Sequence, residues 1–172
     1  FTTANDIPVD GVVRVIFPTG FDLATGTPAV TAAGNLGANL VASVSGQTLI
    51  LTRSDNGVFS AGASGTVTVS NIGNPDVTGA TGTFTITTTT ATPADINTLP
   101  TVAAVTVTAG AISSATVTPA SLVAGASGNV NIVFTTANDI PVDGVVRVIF
   151  PTGFDLATGT PAVTAAGNLG AN

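Results

Sequence analysis

The stretch GNVNIVFTTANDIPVDGVVRVIFP, residues 128–151, contains two short segments in which apolar and polar residues alternate. Its first segment places Val130, Ile132 and Phe134 on one face of a strand, because successive side chains of a strand point to opposite faces. The second segment, GVVRVIFP, alternates in the same way, and the residues between the two include Asn138, Asp139, Pro141 and Asp143, residue types that are typical of turns. The stretch therefore predicts two half-buried β-strands joined by a loop.

From Phe134 onward the chain repeats its own beginning. Residues 134–172 are identical to residues 1–39, which gives a period of 133 residues. A repeat at a fixed period indicates an array, but a solenoid unit has roughly 20–50 residues, and 133 residues is the size of an ordinary domain. We therefore expect residues 1–109 to form one repeat that lacks its first strand, and residues 110–172 to form the first half of the next identical repeat. We also expect the chain to be a stretch of a much longer polymer.

The same alternation continues through the rest of the sequence, where Val13, Val15 and Phe17 share one face and Arg14 lies on the other. Gly, Pro, Asn and Asp separate the segments, and Ser45-Gly46 predicts a hairpin turn. No segment predicts an α-helix longer than one turn, although residues 121–124 suit a single turn. This spacing favours an all-β antiparallel sandwich. Strands are predicted at residues 11–18, 28–33, 39–44, 47–53, 65–72, 82–90, 101–109, 112–119 and 128–136.

The predicted boundary between the two repeats is very short. Gly110 and Ala111 connect a strand that ends at Ala109 with one that begins at Ile112, and two residues are too few to act as a loose linker. We therefore predict that successive domains have a fixed, nearly end-to-end arrangement, with Val107 and Ile112 packed across the junction. The inter-repeat junction then consists of Val107, Gly110, Ala111 and Ile112.

The residue types missing from the chain exclude most catalysis. The sequence has no Cys, His, Lys, Glu, Met, Trp or Tyr, and its charged residues are nine Asp and three Arg. Most general acids, bases and nucleophiles are therefore unavailable. An aspartic dyad needs two carboxylates in one cleft, whereas most of these Asp residues adjoin Gly, Pro or Asn. We predict that the protein is not an enzyme and that it uses no cofactor.

Metal binding is restricted for the same reason, because zinc and transition-metal sites need Cys or His. Calcium needs oxygen ligands alone, so the loops ANDIPVDG (residues 4–11) and RSDNG (residues 53–57) are candidates. Neither loop has the regular spacing of acidic residues seen in an EF-hand. Turn formation is the favoured interpretation of both loops, and no metal site is predicted.

Charge and hydropathy also limit the partners. The formal net charge is −6, which disfavours binding to nucleic acid. No apolar run approaches the roughly 18 residues of a membrane span. The sequence has no N-glycosylation motif, but the Thr-rich segment TITTTTATPAD, residues 85–95, is either an O-glycan site or a strand on an exposed sheet edge.

The stretch ISSATVTPASLVAGASGNVNIVFTTANDIPVDGVVRVIFPTGFDL, residues 112–156, resembles the immunoglobulin-like tandem repeats of very large secreted surface and adhesin-type proteins. The resemblance covers this stretch and its copy at residues 1–23. It implies an immunoglobulin-like β-sandwich, an extracellular or cell-surface location, and a role as adhesin, stalk or extracellular fibre. This group of proteins is defined by architecture, so the resemblance implies no catalytic residues.

Two functions follow from these observations. The first is a structural subunit of an extracellular filament or stalk whose partners are neighbouring copies of itself, joined as one continuous chain, which we favour, or by strand exchange. The alternative is an adhesin-type module that binds carbohydrate or another surface. Sugars stack on exposed aromatic rings, and the loop residues Phe21 and Phe59 are the candidates for this role, although a core position is favoured for both.

Overall fold

A computed structural model describes residues 1–37, 39–54 and 57–169 of the chain. Within these ranges the protein is all-β with antiparallel pairing, and helix is limited to a 3-10 turn at Gly167–Leu169. The prediction that no helix exceeds one turn is confirmed for the described residues. The region near residues 121–124 is a turn in which the Ala126 N–H donates to the Val123 carbonyl (3.1 Å).

Eleven strands form the described part of the fold. They are β1 (Val12–Ile16), β2 (Ala29–Ala32), β3 (Leu40–Ser45), β4 (Thr48–Arg53), β5 (Thr68–Ser70), β6 (Gly79–Ala80), β7 (Phe84–Thr89), β8 (Asp95–Val102), β9 (Thr106–Val107), β10 (Ile112–Pro119) and β11 (Val130–Thr136).

The main sheet has five strands in the order β3-β4-β1-β7-β8. The central strand β1 places Val13 opposite Leu51 of β4 on one side and opposite Thr88 of β7 on the other. Directly opposed residues share a face of the sheet, and all three of these side chains are buried. This row is the middle of the inner face.

The other paired strands outside β10 and β11 are shorter. Strand β2 pairs with β5 and β6 pairs with β9, and isolated bridges join Thr2 to Ser64, Ile7 to Phe59 and Asp22 to Gly73. Val13 belongs to the core, and Val15 and Phe17 pack against it, which confirms their predicted shared face. The buried core residues are Ile7, Val13, Phe21, Leu23, Leu36, Leu40, Leu49, Leu51 and Phe59.

The predicted hairpin is confirmed at β3 and β4. Ser45 pairs with Thr48, which leaves Gly46 and Gln47 as a two-residue loop. Gly46 has φ +56°, the backbone conformation that a tight hairpin turn of this type demands and that glycine adopts most easily.

Two strands, β6 and most of β8, were missed, and one predicted strand is wrong as a continuous element. Residues 96–100, which end at Pro100, lie in no predicted strand, yet they belong to β8. Proline is tolerated there because β8 is at the edge of the sheet. The strand predicted at residues 101–109 is interrupted, since β8 ends at Val102 and β9 occupies Thr106–Val107 alone.

The interpretation of the Thr-rich segment as a strand on an exposed sheet edge is wrong. Strand β7 lies between β1 and β8, and Thr88 and Thr89 are buried. Thr92, in the exposed loop that follows, is available to solvent, so O-glycosylation of this segment stays a prediction for its exposed threonines.

The chain divides into two compact units, Phe1–Ala137 and Asn138–Asn172. Strands β10 and β11 belong to the first unit and form a separate two-stranded sheet. The described residues of the second unit, 138–169, contain no strand. The predicted repeat boundary between residues 109 and 110 stays a prediction.

Candidate self-association site

The four junction residues lie along a single connection. Val107 is half-buried and pairs with Gly79, whereas Gly110 and Ala111 are exposed. The Ala111 carbonyl accepts a hydrogen bond from the Ala137 N–H (3.2 Å), and Ile112 begins β10. Packing of Val107 against Ile112 across a repeat junction stays a prediction.

The β10–β11 hairpin has one apolar face, and this face is uncovered. Ile112 pairs with Thr136 and Val117 pairs with Ile132, with a register shift between them. The shift lets Ile112 and Val117, five residues apart, share a face, because an extra residue in one strand reverses the alternation beyond it. Ile112 is 63% exposed and Val117 46% exposed. One face of this hairpin is therefore apolar and exposed to solvent.

A groove of about 290 Å³ lies between residues 1–5 and the edge strand β8. Residues 96–99 of β8 form one wall, the first five residues form the other, and Ile86 and Thr88 of β7 also line it. Leu99 is exposed at this edge. An uncovered edge strand beside an apolar groove is a template on which another strand can pair.

Asn97 connects the two walls of the groove. Its Oδ1 accepts hydrogen bonds from the backbone N–H groups of Asn5 (2.8 Å) and Ala4 (3.1 Å). Its Nδ2 donates to the buried Thr88 hydroxyl (2.8 Å). These bonds fix the position of residues 4–5 against β8 and satisfy a hydroxyl that would otherwise be buried without a partner.

Residues 1–3 form backbone hydrogen bonds to another segment along only one of their two edges. The Phe1 carbonyl accepts from the Gly65 N–H (2.7 Å), and the Thr3 N–H donates to the Ala63 carbonyl (3.3 Å). Neighbouring residues of a strand direct their N–H and C=O groups to opposite edges, so those of Thr2 face away from Ala63. Within the described part of the chain the Thr2 backbone has no hydrogen bond.

The two loops considered for calcium have structural contacts. In the first, Asp6 Oδ1 accepts from the Ala61 N–H (2.7 Å) and so fixes the loop to a neighbouring segment. In the second, Arg53 is buried, and Asp55 and Asn56 lie outside the described residues. The described residues contain no group of three or more His, Cys, Asp or Glu placed to hold a metal ion.

The candidate sugar-stacking rings are in the interior. Phe21 and Phe59 are both buried, which confirms the core position that the sequence favoured. Phe21 packs against Phe17 with ring centroids 5.3 Å apart and against Phe84 at 5.5 Å, distances typical of aromatic pairs in a core.

The two copies of the repeated segment share local geometry. Asp22 Oδ1 accepts from the N–H groups two and three residues later (2.9 and 3.1 Å), and Asp155 has the same two distances. The hydroxyl and N–H of Thr25, with the N–H of Ala24, lower the pKa of Asp22, and Thr158 acts in the same way on the pKa of Asp155. The sequence alone therefore specifies these turns.

Burial differs sharply between the copies. Val13 is 0% exposed, while Val146, the same position of the second copy, is 40% exposed. Residues 145–149, which correspond to β1, form no strand. In the first copy β1 pairs with β4 and β7, and a strand needs such partners because its backbone groups bond to neighbours rather than within the strand.

The sequence matches no protein family model, no curated protein and no solved structure. Among the described residues, no helix has the length and apolar character that a membrane crossing requires.

Proposed function

We propose that the protein is a structural subunit of an extracellular filament or stalk built from tandem immunoglobulin-like β-sandwich repeats. The observation that carries this proposal is the exact repetition of residues 1–39 at residues 134–172. In the first copy, β1 pairs with β4 and β7, and Val13 is buried. A sequence repeated without change at the period of a domain needs the same cover in each copy, and in a tandem array each repeat supplies its own covering strands.

The composition supports a durable, non-catalytic role. The sequence lacks the Cys, Met, Trp and Tyr side chains that oxidants attack most readily. It has no Lys, and one of its three Arg residues, Arg53, is buried, so trypsin-like proteases have few sites to cut. These properties suit a protein that is exposed for long periods outside the cell.

The main alternative is a carbohydrate-binding adhesin module. Its two candidate rings for stacking on sugars, Phe21 and Phe59, lie in the core and are not accessible to a ligand. The filament proposal therefore has the stronger support. In an array of this kind each unit contacts its neighbours alone, so stability depends on nearest-neighbour interfaces.

Immunoelectron microscopy of the native cell surface tests the proposal. An antibody raised against the chain is expected to label thin filaments along their whole length. Labelling of isolated particles, with filaments unlabelled, would contradict the proposal. Denaturing electrophoresis of the labelled filaments then separates the two assembly modes: a band of low mass, of the order of one repeat, indicates strand exchange between short subunits, and very high mass indicates one continuous chain.

A further inference from the structure

We propose that the groove between residues 1–5 and β8 binds strand β10 of a second copy of this chain. The inference rests on the proposed function, because it names the contact through which copies associate. In the expected register, Ser113 of the donor lies opposite Thr2 of the acceptor, and Ile112 lies opposite Thr3.

Complementary hydrogen bonding supports this pairing. Residues 1–4 and residues 134–137 have the same sequence. In the first copy Phe1 and Thr3 bond to the segment at Ala63 and Gly65. In the second copy the opposite edge is used, because the Ala137 N–H bonds to Ala111 and Thr135 pairs with Ser113.

At residues 1–3 the two sets of bonds use different backbone groups. The Ala4 N–H, which corresponds to the Ala137 N–H, donates to Asn97 Oδ1 in the first copy, so pairing with β10 uses Thr2 and leaves that bond in place. One strand can therefore have both neighbours at once, with the segment at residues 63–65 on one edge and β10 on the other. In this arrangement β10 lies beside Thr2, in the groove. The backbone groups of Thr2 gain the partners that they lack among the described residues.

The apolar faces also match. The Phe1 ring packs on the core, and a Cβ atom added at Gly65 would lie 2.9 Å from it. Phe134 is the same position of the second copy, and it shares a face of the hairpin with Ile112 and Val117, since Ile132 and Thr136, their partners, alternate with it at two-residue spacing. Pairing β10 with residues 1–3 in this register directs Ile112 and Val117 inward.

In the exchange, residues 1–3 of the acceptor replace the identical residues 134–136 of the donor as partners of Ile112 and Ser113, whereas the pairs of β10 with residues 130–133 have no counterpart on the acceptor. What is gained is burial of the apolar face of β10 against Ile86 and Leu99. The described lining of the groove and β10 itself contain no ionisable side chain, so association should depend weakly on salt.

Complementing variants test the proposal in the full 172-residue chain. Val117→Asp places a carboxylate on the donor face, and Leu99→Asp places one in the groove. Both positions are exposed in a single copy, so both variants should fold, which circular dichroism and thermal unfolding verify. Val77→Asp, at an exposed position outside the groove and the hairpin, is the matched control.

Sedimentation equilibrium should show that the unaltered chain and Val77→Asp self-associate. Each groove or hairpin variant alone should associate about tenfold or more weakly, since burying an unpaired charge costs well over 1.4 kcal/mol. An equal mixture of Val117→Asp and Leu99→Asp should form a 1:1 dimer, because one variant retains an intact groove and the other an intact donor strand. A monomeric unaltered chain, or association that Val117→Asp does not weaken, would overturn the proposal.

Disulfide cross-linking tests the register in which β10 pairs with residues 1–3. The chain has no Cys, so Thr2→Cys in one chain and Ser113→Cys in another can form a single defined bond. Opposed residues of an antiparallel pair have Cα atoms about 4.5–5.5 Å apart, which suits a disulfide. Cross-linking that prefers Thr118→Cys over Ser113→Cys would show a different register and would contradict the proposal. Filaments on native cells are a separate observation, so failure here leaves the proposed function standing.

Discussion

The Arg53 guanidinium donates a hydrogen bond of 2.6 Å to the Pro8 carbonyl oxygen from inside the fold. The same side chain reaches the carbonyl oxygens of Ile7 (2.9 Å), Leu36 (2.7 Å) and Gly57 (3.1 Å). Three separate loops are thus attached to the end of β4 by one residue. The planar, multiply donating guanidinium is suited to this role in a way that a lysine is not.

Replacing Arg53 should therefore destabilise the fold severely. Arg53→Met removes four hydrogen bonds from a charged donor and leaves the carbonyl of the buried Leu36 without its donor, and we expect the free energy of unfolding to fall by about 3 kcal/mol or more. Arg14→Met, at a half-buried position on β1, is the control and should change it by less than about 1 kcal/mol. Urea denaturation measures both, and equal midpoints would show that the Arg53 contacts contribute little.

The repeated sequence allows one substitution to be made in two environments. Val13→Ala removes a fully buried side chain and should lower the free energy of unfolding by about 2 kcal/mol. Val146→Ala, at the exposed copy of the position, should change it by less than about 0.5 kcal/mol in isolated chains. Thermal unfolding of monomeric protein makes the comparison, and equal losses would mean that the second copy is packed as the first is.

The Asp22 turn has an expected pH dependence. Its pKa lies below the ordinary value of 3.8, so its stabilisation is present above pH 3.8 and is lost as the pH falls through the lower, folded-state pKa. Thr25→Val removes the largest cause, the hydroxyl hydrogen bond. Carboxyl NMR titration should then show a raised pKa for Asp22 and an unchanged pKa for Asp155. A rise in both would mean that the effect is not local.

Gly46 offers a test of the hairpin turn. A Cβ atom there meets nothing within 4 Å, but the backbone has φ +56°. Gly46→Ala should therefore cost about 1–2 kcal/mol from conformation alone, and Gly46→Asn should cost less, because asparagine tolerates this region. Gly57→Ala, also in open space and without positive φ, serves as the control in the same denaturation experiment. No loss with Gly46→Ala would contradict the turn assignment.

Local patterning predicted much of the fold. The strand at Ile112–Pro119 has the predicted bounds, and the face shared by Val13, Val15 and Phe17 follows from side-chain alternation. The Gly46 turn was readable because a two-residue hairpin loop requires special backbone angles. These features depend on neighbours in sequence, so the sequence specifies them directly.

Features that depend on contacts between distant segments could not be predicted from local sequence pattern. Asp95 and Pro100 resemble loop residues, and they are tolerated in β8 because the strand lies at a sheet edge, which sequence pattern alone does not reveal. Arg53 drew attention through its neighbouring Asp55 as a calcium loop, whereas its hydrogen bonds reach carbonyls up to 46 positions away. The groove is also formed by segments about 90 residues apart, and no motif marks it.

Helical reconstruction of native filaments tests the central claim most directly, namely that identical sandwich repeats are joined end to end. The longest strands have eight residues and span about 26 Å at about 3.3 Å per residue. With loops at both ends, one 133-residue repeat should extend roughly 40–50 Å along the fibre, with a fixed twist between units. An axial rise under about 25 Å per repeat would mean that the units pack side by side, and it would contradict the end-to-end arrangement.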